Sequence, residues 1–140
     1  MSEESTTPDL VEQVRHTNEA AKRGDVGTIL RNFGLDSVWD DTAIGLGTHD
    51  GLDEIREHLE DWIGSYEEFE IANEEVLDLG NGVLLEVNVQ TGRPLGSTGE
   101  VHLRYAGVTM WVGGKVERFT TYTDIDQARA AAERLAEERG

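Results

Sequence analysis

The hydrophobic period changes twice along this chain, and that change restricts the fold more than any single motif. Up to Ser65 apolar residues recur at helical spacing, and from Glu68 to Asp124 they recur at every second position. Helical spacing returns at Asp126. Leu10, Val14, Thr17 and Ala21 mark a first helix, with Asp9 as its N-cap and Gly24 as its end. Asp25 opens a short second helix with Ile29, Leu30 and Phe33 on one face, stopping at Gly34. Ser37–Asp41 and Ala43–Leu46 read as two short strands around a turn. Gly51 and Asp53 introduce a third helix, whose buried stripe is Ile55, Leu59, Trp62 and Ile63. Four strands are then expected over 68–78, 83–92, 99–112 and 115–124. Gly80-Asn81-Gly82, Arg93–Ser97 and Gly113-Gly114 supply the turns between them. An Ala-rich helix over 126–140 closes the chain. Helices followed by an antiparallel meander indicate an α+β domain over 9–140, preceded by a disordered tail over 1–8.

Composition removes several classes of function. Twelve basic residues against twenty-nine acidic ones give a net charge of 12 − 29 = −17. With no basic cluster, nucleic acid and anionic membrane surfaces are not expected partners. There is no cysteine, which excludes disulfides, thiol nucleophiles and Cys-ligated metals. The four histidines, His16, His49, His58 and His102, fall in neither an HxH nor an HExxH pattern, so no metal site is expected. No dinucleotide fingerprint or P-loop occurs, and no cofactor is expected. The start, MSEESTTPDL, lacks the basic-then-apolar pattern of a signal peptide, so a cytoplasmic protein is expected.

A strongly curved sheet with three helices across its concave side encloses a cone, a natural small-molecule pocket. The residues that punctuate this order also resemble a known group. Gly24-Asp25, Val38-Trp39-Asp40-Asp41, Gly51-x-x-x-Ile55, Gly114-Lys115-Val116 and Tyr122-x-Asp124-x-x-x-Ala128 are similar in order and spacing to the SnoaL-like and ketosteroid-isomerase-like families. Both belong to the nuclear-transport-factor-2-like (NTF2-like) superfamily, and the resemblance covers about residues 9–135. It implies a cone-shaped fold with three N-terminal helices on the concave sheet face and a C-terminal helix. It also implies a small apolar, polyketide-like or steroid-like ligand. The fold alone does not assign a reaction.

Strand alternation sorts the sheet residues into two faces. Placing the apolar and aromatic sets inward puts Val83, Leu85, Val87 and Val89, then Tyr105, Thr109 and Trp111, then Phe119 and Thr121, towards the helices. The expected ligand-binding residues are therefore Trp39, Leu59, Trp62, Tyr105, Thr109, Trp111, Phe119 and Thr121. Glu86, Asn88, Gln90, His102, Arg104, Arg118 and Tyr122 are then expected on the convex face. The resemblance implies a homodimer through that face, here with a charge-paired interface.

The resemblance also singles out Asp41 as a general base, since an ungapped comparison places it on the proton-abstracting aspartate of the isomerases. An apolar cone suits the role, because desolvation raises a carboxylate's basicity. The alternative to plain ligand binding is thus an isomerase, cyclase or dehydratase using Asp41. The isomerases' oxyanion-hole tyrosine and acid fall on Thr17 and Gly107, and a supporting tyrosine on Leu59. Steroid isomerase activity is not expected, because lost oxyanion donors typically lower rates about 10²–10³-fold each. Nor does the chain carry the Asp-Arg-Asp constellation of the limonene-epoxide-hydrolase-like members, since Arg104 is followed by Tyr105 and Ala106. Asp124 matches the family pattern too, but its place before the last helix suits a helix cap. His16 and His58 are expected as solvated helix-surface residues, with proton shuttling as the rarer role.

Overall fold

The computed structural model describes residues 9–140, so the tail expected over 1–8 lies outside the described residues. Helix α1 (Leu10–Lys22) starts at Asp9, whose carboxylate accepts from the Glu12 N–H at 3.2 Å. Asp25 opens α2 (Val26–Leu30) in the same way, accepting from Thr28 N–H at 3.1 Å and its hydroxyl at 2.7 Å. These carboxylates satisfy amides that have no partner within the first helical turn. Phe33, expected at the end of α2, instead begins strand β1 (Phe33–Asp40).

The strand expected over Ala43–Leu46 does not form. Asp40 accepts from both the N–H and the hydroxyl of Thr42, which turns the chain into a single 3₁₀ turn over Thr42–Ile44. Gly45 and Gly47 follow with φ of 78° and 76°, a backbone no extended strand adopts. The second strand, β2, comes later and is short (Thr48–Asp50). Helix α3 (Leu52–Gly64) follows, then β3 (Tyr66–Gly80), β4 (Val83–Pro94), β5 (Val101–Val112), β6 (Lys115–Tyr122) and α4 (Ile125–Arg139).

All six strands form one sheet in the order β2-β1-β6-β5-β4-β3. Neighbours are antiparallel except β1 and β6, which run parallel. Register shifts at Asn73/Glu75 and at Met110/Trp111 bend the long strands. The outcome is the expected α+β cone: a curved, unclosed sheet whose concave side is covered by α1, α2 and α3. No helix among the described residues is long and apolar enough to cross a membrane.

Two apolar clusters lie on opposite sides of the sheet. The concave one joins Val14, Ile29, Ile55 and Leu59 of the helices to Trp39, Leu84, Trp111 and Phe119 of the strands. The convex one seats Ala128, Ala132 and Ala136 of α4 on Val83, Leu85, Ala106 and Val108. The inward set expected for β4 is therefore reversed. Val83 and Leu85 face α4, while Leu84, Glu86 and Asn88 face the cone. The reason is that β4 is covered on both sides, and the alanine face of α4 requires the smoother apolar bed. The convex face thus lacks Glu86, Asn88 and Gln90, which are buried, whereas His102, Arg104 and Arg118 are exposed as expected.

Asp124 accepts from the Gln127 N–H at 3.1 Å and caps α4, as its position suggested. Asp124→Ala is expected to lower stability by about 1 kcal/mol in urea unfolding, without altering ligand binding in the cone.

Candidate functional site

The concave cluster encloses a chamber with a cavity volume of about 50 Å³. Of the residues expected to bind a ligand, Trp39, Leu59, Trp62, Tyr105, Thr109, Trp111 and Phe119 line it. Thr121 does not, and neither does Asp41. Those two meet each other at the end of the sheet instead.

Asp41 is only 5% exposed. Its Oδ1 accepts from the Thr121 hydroxyl at 2.5 Å and its Oδ2 accepts from His58 Nε2 at 2.6 Å. His58, expected on the solvated face of α3, is buried. Its ring stacks on His49 with centroids 3.9 Å apart and 11° between planes, and Trp39 meets it edge-on at 5.9 Å. His49 Nε2 donates to the Leu46 carbonyl at 2.8 Å, which ties the loop to this stack. Asp41 therefore sits one step along the same strand face as Trp39, with both oxygens occupied. His16 and His102 lie at the surface, 3.6 Å from Glu12 and 3.0 Å from Glu100.

The carboxyl that does line the chamber is Glu86. It is 5% exposed, and both of its amide partners bond one oxygen: Asn88 Nδ2 at 2.9 Å and Asn18 Nδ2 at 3.3 Å, each to Oε1. Asn88 is fixed in turn, accepting from Asn73 Nδ2 at 2.5 Å. Burial pushes the Glu86 pKa above the ordinary carboxylate range, while the two amide bonds pull the other way. Tyr105, on the adjacent strand, is pushed well above the usual phenol range, first by burial and then by the negative charge of Glu86. No lysine, arginine or histidine is among the residues that line the chamber. No group of three or more His, Cys, Asp or Glu side chains among the described residues is arranged to hold a metal ion.

The positions implied by the isomerase resemblance can now be placed. Thr17 lines the chamber, but its hydroxyl already donates to the Gln13 carbonyl at 2.8 Å and accepts from Asn32 at 2.6 Å. Leu59 is fully buried. Gly107 pairs directly with Glu86 across β4 and β5. A Cβ on Gly107 would lie 2.7 Å from the Phe119 ring and 3.3 Å from Glu86 Cγ, so the glycine makes room for both. A carboxyl is therefore present beside the expected position, supplied by the neighbouring strand. Sequence reasoning missed Glu86 because it assumed that apolar faces point inward. The available signal was the alanine stripe of the last helix, which needs an apolar bed of its own.

A cone of this topology with an enclosed, aromatic-lined chamber defines the NTF2-like class. A model of the SnoaL-like domain matches residues 14–119, and the chain belongs to that family. Solved structures agree on the fold. An NTF2-like protein of unknown function from Burkholderia pseudomallei superimposes with a TM-score of 0.70 at 21% identity, covering 86% of this chain and 95% of that one. A Catenulispora acidiphila protein with a ketosteroid-isomerase-like fold, in complex with trimethylamine, gives 0.72 at 16% identity, covering 86% and 92%. An epoxide hydrolase of M. tuberculosis, similar to the limonene epoxide hydrolases, gives 0.68 at 17%, covering 89% of each chain. No curated protein matches the sequence.

Two measurements test these polar groups. The folded-state pKa of Glu86 is raised, so the native state holds its proton more tightly than the unfolded chain does. The group's contribution to stability is full below the ordinary glutamate range and is lost as pH rises through the folded pKa. Glu86→Gln is thus expected to gain stability relative to wild type over that rise, and the gain then levels off. Unfolding at a series of pH values checks it. Asp41→Ala leaves the Thr121 hydroxyl and His58 Nε2 buried without their partner, with an expected loss of about 2 kcal/mol or more in chemical unfolding.

Proposed function

We propose that the protein binds a small, mostly apolar molecule inside the cone. The observation that carries this reading is the chamber itself: rings and aliphatic side chains on most sides, and one buried carboxyl with its amide partners. Such walls with a few convergent polar groups are the usual make-up of a ligand pocket. The volume favours a compact ligand over a steroid-sized one. About 50 Å³ leaves room for a few waters' worth of ligand, so a larger guest requires the walls to part. Trimethylamine, held by the Catenulispora acidiphila neighbour, is of this compact size.

Catalysis with Asp41 as general base is the second reading, and the buried Asp41–His58 pair favours it. An isomerase, cyclase or dehydratase would then use a proton held between these two side chains. We also propose a homodimer through the part of the convex face that α4 leaves uncovered, where Arg104 pairs with Glu74 and Arg118 with Asp40. Sedimentation that stays monomeric over a wide concentration range would remove the dimer.

The chain has three tryptophans, and Trp39, Trp62 and Trp111 all line the chamber. Intrinsic fluorescence therefore reports directly on what enters. Titration with compact apolar ligands such as cyclohexanone and tert-butanol is expected to change the emission saturably. Ala21→Leu, which adds three carbon atoms to a side chain of α1 that lines the chamber, is expected to abolish the response while the protein stays folded. A response that survives this substitution would place the ligand elsewhere. With Asp41→Asn, the second reading predicts that turnover of a bound carbonyl compound disappears while its binding persists.

A further inference from the structure

The acid in the chamber has one oxygen engaged and one free. Glu86 receives the Asn18 and Asn88 amides at Oε1, and Oε2 has no bond from the described residues. Oε2 is also absent from the sealed, partnerless side-chain atoms, so it opens on the space that Glu86 lines. The groups facing Glu86 come from four elements: Asn18 on α1, Asn88 on its own strand, Tyr105 and Gly107 on β5, and Phe119 on β6. None is a cation. A carboxylate in such a place has an unpaired charge, and burial raises the Glu86 pKa above the ordinary carboxylate range.

The chamber on which this oxygen opens is lined by six aromatic residues: Phe33, Trp39, Trp62, Tyr105, Trp111 and Phe119. Aromatic rings attract a cation through their quadrupoles, and a group of rings is a recurrent means of holding alkylated ammonium groups. A carboxylate oxygen supplies the charge-assisted bond that rings alone lack. The cavity volume suits a cation of a few heavy atoms. Outside, a net charge of −17 raises the local concentration of cations and lowers that of anions.

Resting on the reading of the chamber as a ligand site, we propose that its ligand is a small alkylammonium ion, held by an N–H bond to Glu86 Oε2 within the ring of aromatic side chains. The proton balance follows from the acid. Below its titration Glu86 carries a proton, and there the ammonium enters with its own N–H while the carboxyl proton leaves to solvent. In that range binding releases a proton, and it tightens as pH rises through the titration of Glu86. Tyr105 does not compete in that range, since its phenol proton is held more tightly than usual.

The test is calorimetric titration of the intact protein with trimethylammonium chloride and with tert-butanol, a neutral molecule of similar size. Each is run at a series of pH values from the acid side upwards, in two buffers of different ionisation heat, which counts the protons released. The cation is expected to bind at least about tenfold more tightly, the scale of one charge-assisted hydrogen bond. Glu86→Gln, nearly the same shape, is expected to weaken the cation by about tenfold while leaving the alcohol within about twofold. Should that variant unfold, proton release by the wild type still decides. Equal or tighter binding of the alcohol, or cation binding without proton release at any pH of the series, overturns the alkylammonium assignment and leaves the chamber as a site for neutral ligands. Failure of both compounds to bind overturns the assignment together with the chamber reading beneath it.

Discussion

The burial of β4 on both faces is the constraint from which the rest of the molecule follows. Val83 and Leu85 carry α4, while Leu84, Glu86 and Asn88 look into the cone. Because side chains alternate, a slip of one residue would drive the carboxyl into the alanine bed and the aliphatics into the chamber. The register is held at the hairpin. Asn81 stands at φ 59° between Gly80 and Gly82, which a tight turn of this kind requires. Its side chain donates to the Ala136 carbonyl at 2.6 Å, and Arg139 donates to the carbonyls of Asn81 and Trp111 at 2.7 and 3.0 Å. The far end of α4 thus clasps the turn that sets which face of β4 is inside.

A second polar cluster performs the corresponding task at the opposite edge. Asp41 joins the end of β1 to α3 through His58 and to β6 through Thr121. Trp39 and Phe119, each two residues earlier on those strands, stack at 4.2 Å and line the chamber. The chamber and the Asp41 cluster are therefore successive stretches of one concave surface, and a change in the second reshapes the first. Loss of binding on substituting Asp41 is consequently weak evidence for a proton transfer, since misplacement of Trp39 would have the same effect. Only loss of turnover with binding intact separates a base from a brace.

Much of this could be read from residue order alone, for definite reasons. Asp9, Asp25 and Asp124 announce three helix starts because a short carboxylate before an apolar repeat has few other uses. Gly80-Asn81-Gly82 and Gly113-Gly114 announce hairpins because these residues tolerate positive φ. Two features escaped, the first for a local reason and the second for a tertiary one. Ala43–Leu46 has an extended-looking composition, but the Asp40–Thr42 bonds and the two positive-φ glycines decide its shape. The polar row on β4 was turned outward because a polar residue is ordinarily found at the surface. It is tolerated inside because Asn18, Asn73 and Asn88 supply its donors, and no local pattern connects residues that far apart. His58 looked solvated for the same reason, its partner lying seventeen residues away.

The position of the acid bears on how such a cone acquires a function. Glu86 and Gly107 are cross-strand neighbours on one face, and the carboxyl stands on Glu86 because Gly107, where a Cβ would lie 2.7 Å from the Phe119 ring, leaves the space. Placed on β4, the carboxyl gains two amide donors on one oxygen and leaves the other free. An acid so held acts in two distinct ways: protonated, it donates to an acceptor, and ionised, it accepts from a donor with charge. The surroundings choose between them. Rings stabilise a cation and offer nothing comparable to an anion, and the strongly acidic exterior repels anions before they reach the mouth. A ligand bearing its own carboxylate would meet repulsion from outside and from Glu86 within, whereas a small cation is favoured at both stages. The same residues that make this chamber unfavourable for a lone negative charge thus make it complementary to a positive one.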